Sequence, residues 1–265
     1  MRDTLTSNLN PEQLQAVTLS HESALILAGA GSGKTRVLTS RIVWLLQTAH
    51  ASSQEILAVT FTNKAAKEML ARLSASVPLH HAMWVGTFHG LCNRFLRLHH
   101  TEAKLPANFQ ILDIGDQLSL IKRLSKTLKI NDEKTPPRKI QHYINSRKDS
   151  GLRSGAISPS TPDEKILLDC YAAYEIQCIK EGIADFAELL LRTIEVLKSN
   201  YGLRTHYQER FRYILVDEFQ DTSLLQYEWL KLLSGKTNAI FAVGDDDQSI
   251  YGFRGANADN LRLFE

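Results

Sequence analysis

The chain has 265 residues, 43% of them hydrophobic and 23% charged, a balance that excludes a disordered or fibrous polypeptide. Lys and Arg total 31 against 29 Asp and Glu, so the net charge of +2 does not mark a nucleic-acid binder, and any such contact must come from local arrangement. The polar start MRDTLTSNLNPEQ is not a signal peptide, no apolar run reaches the ~20 residues of a membrane span, and Cys92, Cys170 and Cys178 form no CxxC pair; a cytoplasmic chain with no membrane contact and buried free thiols is expected.

Ala24–Ala28 is a short apolar run with the look of a buried strand, and a Gly-rich stretch follows it. Thr35–Gln47 then takes helical spacing, with Val37, Leu38, Ile42, Leu45 and Leu46 on one face. Ile56–Phe61, Met83–Thr87 and Phe109–Leu112 read as further buried parallel strands. From Asp113 to Lys198 the spacing turns helical. Ile114, Leu118, Ile121, Leu124 and Leu128 mark one helix; Leu167, Leu168, Tyr171, Tyr174 and Cys178 a second; Phe186, Leu189, Leu190, Ile194 and Leu197 a third. Pro136–Pro137 and Ser150–Pro162 are expected as loop. Tyr213–Val216 and Ala239–Val243 resume the strand pattern. The expectation is an α/β P-loop domain, its parallel sheet flanked by helices, that carries an inserted all-helical subdomain. Its parts are residues 1–112 and 199–265, with the insertion at 113–198.

The strongest chemical signal is Ala28-Gly29-Ala30-Gly31-Ser32-Gly33-Lys34-Thr35, between an apolar strand and a helix. Glycines let the backbone aim its N–H groups at a polyphosphate, and the helix N-terminus adds unpaired donors and a favourable dipole. Lys34 would neutralise the β- and γ-phosphates and the Thr35 hydroxyl would bind Mg²⁺. The strict pattern wants Gly where this chain has Ala28. Tyr213–Val216 runs into Asp217 and Glu218. In such a site Asp217 holds Mg²⁺, which keeps much of its water, and Glu218 acts as general base on the attacking water.

Leu9–Val17, Thr60–Ala66, Gly86–Gly90, Asp217–Thr222 and Val243–Ala256 join the phosphate loop in an ordered series. Together these motifs resemble the UvrD/Rep/PcrA family of superfamily 1 DNA helicases, over residues 9 to 256, and the family also has Ala at the position of Ala28. The resemblance implies a RecA-like domain that binds ATP and Mg²⁺. It implies that Gln13 bonds the adenine edge, Arg36 stacks on the adenine face, Gln248 senses the γ-phosphate, and Gln220 links the carboxylates to that sensor. The resemblance further implies 3′-to-5′ movement on single-stranded DNA and at single-strand/duplex junctions.

Aromatic stacking with phosphate contacts is the usual grip on single strands. Phe61 lies at a strand end among polar Thr60, Thr62 and Asn63, and Tyr251, Phe253 and Arg254 form an aromatic–aromatic–basic run. In the family, positions matching Phe61, Tyr251 and Phe253 stack on bases or support that stacking, and Asn63, Thr87, His89 and Arg254 fall with them on the DNA side. Phe253 stands where the family usually has Trp, which leaves less area to stack. From Lys122 to Arg153 there are ten Lys or Arg against three acids, a DNA contact or a solvated face. The family continues with a second RecA-like domain, the expected partner of this one, whose arginines reach the γ-phosphate. These 265 residues alone are therefore expected to bind nucleotide weakly and hydrolyse it poorly. The same motifs also occur in recombination helicase–nucleases, and a DNA-binding regulatory module with a non-catalytic P-loop is the further alternative.

Overall fold

The computed structural model describes residues 9–29, 31–78 and 83–245. The chain divides into two compact units: residues up to Leu91 together with those from Leu197 onward, and Cys92–Val196. In the first unit α1 (Pro11–Val17) leads to β1 (Ala24–Leu27), α2 (Lys34–Gln47), β2 (Ile56–Thr60), α3 (Asn63–Ser74), β3 (Trp84–Thr87) and the start of α4 (Phe88–Leu98). After the second unit come α9 (Tyr201–Arg210), β6 (Tyr213–Val216), α10 (Leu224–Leu233) and β7 (Ala239–Gly244).

Five parallel strands form one sheet in the order β1-β7-β6-β2-β3. Every residue of β2 and β6 is buried, whereas β1 and β3, at the two edges, are largely half-buried. That gradient is why the central strands read as unbroken apolar runs. Val37, Leu38, Ile42 and Leu45 of α2 and Met69 and Leu73 of α3 pack into one core with Ile56, Ala58, Leu215, Phe241 and Val243. Chain order jumps from β1 to β2 while β7 and β6 fill the gap between them. The carboxyl edge beside such a reversal is where open α/β sheets take their ligands. This is a RecA-like α/β arrangement.

Two polar devices fix helices of this unit. Asn10 and Gln13 close a reciprocal capping box at the start of α1, with Pro11 in the first turn. Arg41, 1% exposed, reaches from α2 to the end of α1 and beyond, where its guanidinium donates to the carbonyls of Ala16, Val17, Leu19 and Ser20 at 3.0–3.3 Å. Burial pushes its pKa down to about 10.

The second unit holds the rest of α4, then β4 (Gln110–Leu112), α5 (Ile114–Thr127), α6 (Pro137–Asp149), α7 (Pro162–Glu181), β5 (Ile183–Asp185) and most of α8 (Phe186–Ser199). Its helices share a core of Leu120, Ile121, Ile140, Ile144, Leu167, Tyr171 and Tyr174. It is not built of helices alone. Phe109–Leu112, expected in the main sheet, instead places β4 against β5 in a separate two-stranded parallel ladder. Gly182 ends α7 at φ 64° before β5 begins, and a Cβ there would lie 2.7 Å from Pro106 Cγ, so only glycine fits.

Three further expectations change. Pro136–Pro137 is not loop: Pro136 caps α6 and Pro137 is its first residue, a position where the missing N–H costs nothing. Ile114 on α5 and Leu128 just beyond its end are 72% and 42% exposed, while polar Gln117 is buried and bonds to Asn145 and Asp185. The basic run is partly cancelled as well. Arg123, Arg147, Lys148 and Arg153 pair with acids of their own unit, which leaves Lys122, Lys126, Lys129, Lys134, Arg138 and Lys139 exposed.

Around Lys148 the pairing becomes a cluster. Its ammonium meets Asp185 at 2.7 Å and Glu188 at 2.9 Å, and Arg153 bonds Glu188, Glu195 and Glu175. Burial alone would raise the Glu188 carboxyl, but Lys148, Arg153 and Arg192 outweigh it and hold the group far below the usual carboxylate range.

Candidate functional site

The phosphate loop starts where β1 ends. Ala28 N–H donates to Gly244 O at 3.1 Å, which seats the loop against the end of β7. The backbone then turns through Gly31 and Gly33, at φ 77° and 86°. At Gly33 a Cβ would also crowd Gln13 Nε2 at 3.2 Å. Gly33 offers α2 no side-chain cap, so the first N–H groups of the helix face forward, open to an acceptor. Ala30 lies outside the described residues.

Lys34 is 9% exposed, and its ammonium donates to Ala28 O at 2.7 Å, Gly29 O at 3.1 Å and Asp245 Oδ2 at 3.1 Å. Thr35 donates its hydroxyl to Asp217 Oδ2 at 3.3 Å. Gln13 is already anchored: its amide N–H donates to Ser32 O at 2.9 Å and its oxygen accepts from Asn10 N–H at 3.1 Å. It therefore ties α1 to the loop. Arg36 and Ser32 are both exposed.

Asp217 follows β6 directly, and its N–H donates to Val59 O of β2 at 3.0 Å. The side chain is 2% exposed, and Oδ1 is buried without a hydrogen-bond partner among the described residues. Burial first, and the charge of Glu218 second, push this carboxyl up to about 6, against the pull of Thr35 and Lys34. A buried carboxylate with one idle oxygen next to a threonine hydroxyl is a hard, all-oxygen donor pair, which suits Mg²⁺. Glu218 sits at φ 50° in the left-handed region, an unusual place for a non-glycine residue and one found disproportionately at functional sites. Its Oε2 accepts from Gln220 Nε2 at 2.7 Å, and Gln220 Oε1 accepts from Asp245 N–H at 3.1 Å. Gln220 thus links Glu218 to the end of β7. Gln248 lies outside the described residues.

At the ends of β2 and β3, Phe61 is half-buried and stands edge-on to Phe88 at 5.4 Å, which in turn meets Trp229 at 5.6 Å. Phe61 is neither a core ring nor a free one; it is a supported ring with part of its surface in solvent. Asn63 is exposed on the first turn of α3, behind the Thr62 cap. The Thr87 hydroxyl accepts from Gly90 N–H at 3.2 Å, and burial lowers the pKa of His89. Tyr251, Phe253 and Arg254 lie outside the described residues.

Two residues escaped the sequence reading. Asp245 stands in a quoted motif directly after an apolar strand, the same position as Asp217 after β6, and that parallel was the available signal. Arg41 carried none, because a basic residue on an amphipathic helix reads as surface.

Fold and loop together define a P-loop α/β domain with its candidate site at the carboxyl ends of β1, β7 and β6. The model of the UvrD/REP helicase N-terminal domain matches residues 9–265, and the chain belongs to that family. Over 262 residues it is 51% identical to DNA helicase II of Escherichia coli, covering 98% of this chain and 36% of that protein. It is 47% identical to DNA helicase II of Haemophilus influenzae, covering 98% of this chain and 37% of that protein. With the ATP-dependent DNA helicase PcrA of Bacillus subtilis the identity is 40%, over 98% of this chain and 36% of the relative. The chain thus spans little more than a third of the length of these relatives.

Proposed function

We propose that these residues form the ATP- and single-strand-binding part of an ATP-dependent DNA helicase or translocase that works in the cytoplasm on single strands and single-strand/duplex junctions. The observation that carries the reading is the convergence of Lys34, Thr35 and the idle Asp217 oxygen in front of the uncapped start of α2. The backbone N–H groups of the loop and the Lys34 ammonium bind the β- and γ-phosphates. Thr35 and Asp217 would hold a magnesium ion, which neutralises phosphate charge when bound. Glu218 takes the proton of the attacking water, held in place by Gln220. Arg36 supplies a guanidinium plane for the adenine face, with Gln13 at its edge and Gln248 as the γ-phosphate sensor. Phe61, with Tyr251 and Phe253, stacks on bases, while Asn63, Thr87, His89 and Arg254 contact the strand. Both cofactor calls, ATP and Mg²⁺, belong to this proposal, as does a second RecA-like domain as the partner that completes the cleft. Without that domain, ATP turnover by the 265 residues is low.

Titration of the chain with a fluorescent ATP analogue tests the reading directly. Binding should require Mg²⁺ and should be lost in Lys34→Ala, whereas magnesium-independent binding of equal strength would make the loop a structural turn. For the DNA side, Phe61→Ala should weaken binding of a short single strand about tenfold, since stacking contributes ~1–3 kcal/mol per base. An unchanged affinity would remove Phe61 from the DNA path.

A further inference from the structure

Arg41 stands about two helical turns after Lys34 on α2 and is buried at 1% exposure. Its Nη1 donates to Ala16 O, Val17 O and Leu19 O at 3.3, 3.1 and 3.0 Å, and its Nη2 donates to Ser20 O at 3.2 Å. The guanidinium also lies over the Phe241 ring of β7, 4.6 Å from its centre. Neutral carbonyls compensate a buried cation less well than a carboxylate does. What they receive here is geometric: a flat fork that spans the last turn of α1 and the turn beyond it. With only seven residues, α1 is too short to hold itself, so its place is set by what it touches. Gln13 ties its first turn to the phosphate loop at Ser32 O, and Arg41 ties its last turn to α2. One helix, α2, thus carries Lys34 and Thr35 at its start and, in its middle, the clamp on the helix that presents Gln13.

We propose that Arg41 is a positioning residue for base recognition: by clamping the end of α1 to α2 it holds the Gln13 amide at a set distance from the phosphate loop, and so sets a preference for adenine over guanine nucleotides. The inference rests on the nucleotide-binding reading above. At 1% exposure Arg41 is out of reach of a ligand and acts through α1. The bonds of the Gln13 amide to Asn10 and Ser32 use one lone pair and one N–H. Its other lone pair and N–H match an edge that offers a donor beside an acceptor, as adenine does at N6 and N7, whereas guanine offers two acceptors there. Such a match holds only while the amide stays in place. Without the fork, four carbonyls lose their donor and the end of α1 is released. Lys34 and Thr35 lie on α2 itself, so the phosphate seat is left as it was.

The test compares, in the full chain with Mg²⁺, the dissociation constants of ribose-labelled fluorescent ATP and GTP analogues and, by calorimetry, of inorganic tripolyphosphate. The unaltered chain should prefer the ATP analogue. Arg41→Met keeps an unbranched side chain and removes the fork. It should weaken the ATP analogue about tenfold, the loss of one good contact to a base edge, and leave the GTP analogue and tripolyphosphate within about twofold. Arg41→Lys, which keeps the charge without the fork, should show the same split. An unchanged preference for ATP in the folded variants overturns the proposal. Equal weakening of all three ligands also overturns it, because Arg41 would then support the phosphate loop as a whole. Loss of the fold in both variants, read by circular dichroism, overturns it by making the guanidinium a requirement of the fold. If the unaltered chain binds tripolyphosphate and shows no preference between the bases, the inference falls and the phosphate reading stands. If it binds none of the three ligands, both fall.

Discussion

Gly33 shows how narrowly single positions are set. Its φ of 86° is open to glycine at little cost, while an alanine there pays a left-handed penalty of ~1–2 kcal/mol and must also push aside the Gln13 amide. Gly33→Ala is expected to lower the urea midpoint and to weaken nucleotide binding together, because the same contact that resists the methyl group ties α1 to the loop. A stable variant with unchanged affinity would separate the two effects. At this scale much of the candidate site was legible. Lys34, Thr35, Asp217 and Glu218 announce themselves because phosphate chemistry demands those residue types after strand ends, and strand ends are visible as the close of an apolar run. Asp245 was overlooked although it sits at such an end, because its contact with Lys34 joins residues 211 positions apart and is visible only as a distance.

Among elements, the second unit gathers its buried charges around Glu188. Three cations converge on this one buried carboxylate, so Glu188→Gln leaves Lys148, Arg153 and Arg192 short of a counter-charge. Breaking a buried pair in this way typically costs about 3–5 kcal/mol. Since the folded carboxyl is held well below its ordinary value of 4.5, its contribution is complete above that pH and drains away as acid protonates the folded form. Denaturation midpoints followed from pH 7 to pH 3 should fall in the unaltered chain, and should fall less steeply in Glu188→Gln, which starts lower. Parallel slopes would assign the acid response to other groups. The elements also mark where sequence reading ran out. Ile140, Tyr143 and Ile144 do carry the spacing of α6, yet paired prolines at its start look like loop unless the first turn of a helix is considered. β4 has the composition of a main-sheet strand, and only its partner, β5, shows that it belongs elsewhere. Three-residue strands carry too few positions for periodicity to place them.

For the whole molecule, Lys34, Thr35 and Asp217, proposed for the nucleotide, and Phe61 and Thr87, proposed for DNA, lie at or just beyond the carboxyl edge of one five-stranded sheet, so the two ligands should be coupled. Coupling between binding sites is reciprocal: whatever factor the ATP analogue imposes on single-strand affinity, the strand must impose on the analogue. Measuring both dissociation constants, each with the other ligand absent and saturating, checks this, and two factors of one indicate independent sites. The family match accounts for why the motifs reach across nearly the whole chain while its curated relatives run almost three times as long.

The bond from Asp217 N–H to Val59 O gives that coupling a short physical route. Val59 lies two residues before Phe61, so the acid proposed to hold the metal and the ring proposed to hold a base are separated by one amide contact and a single intervening residue, Thr60. Both strands that carry this contact are buried along their whole length.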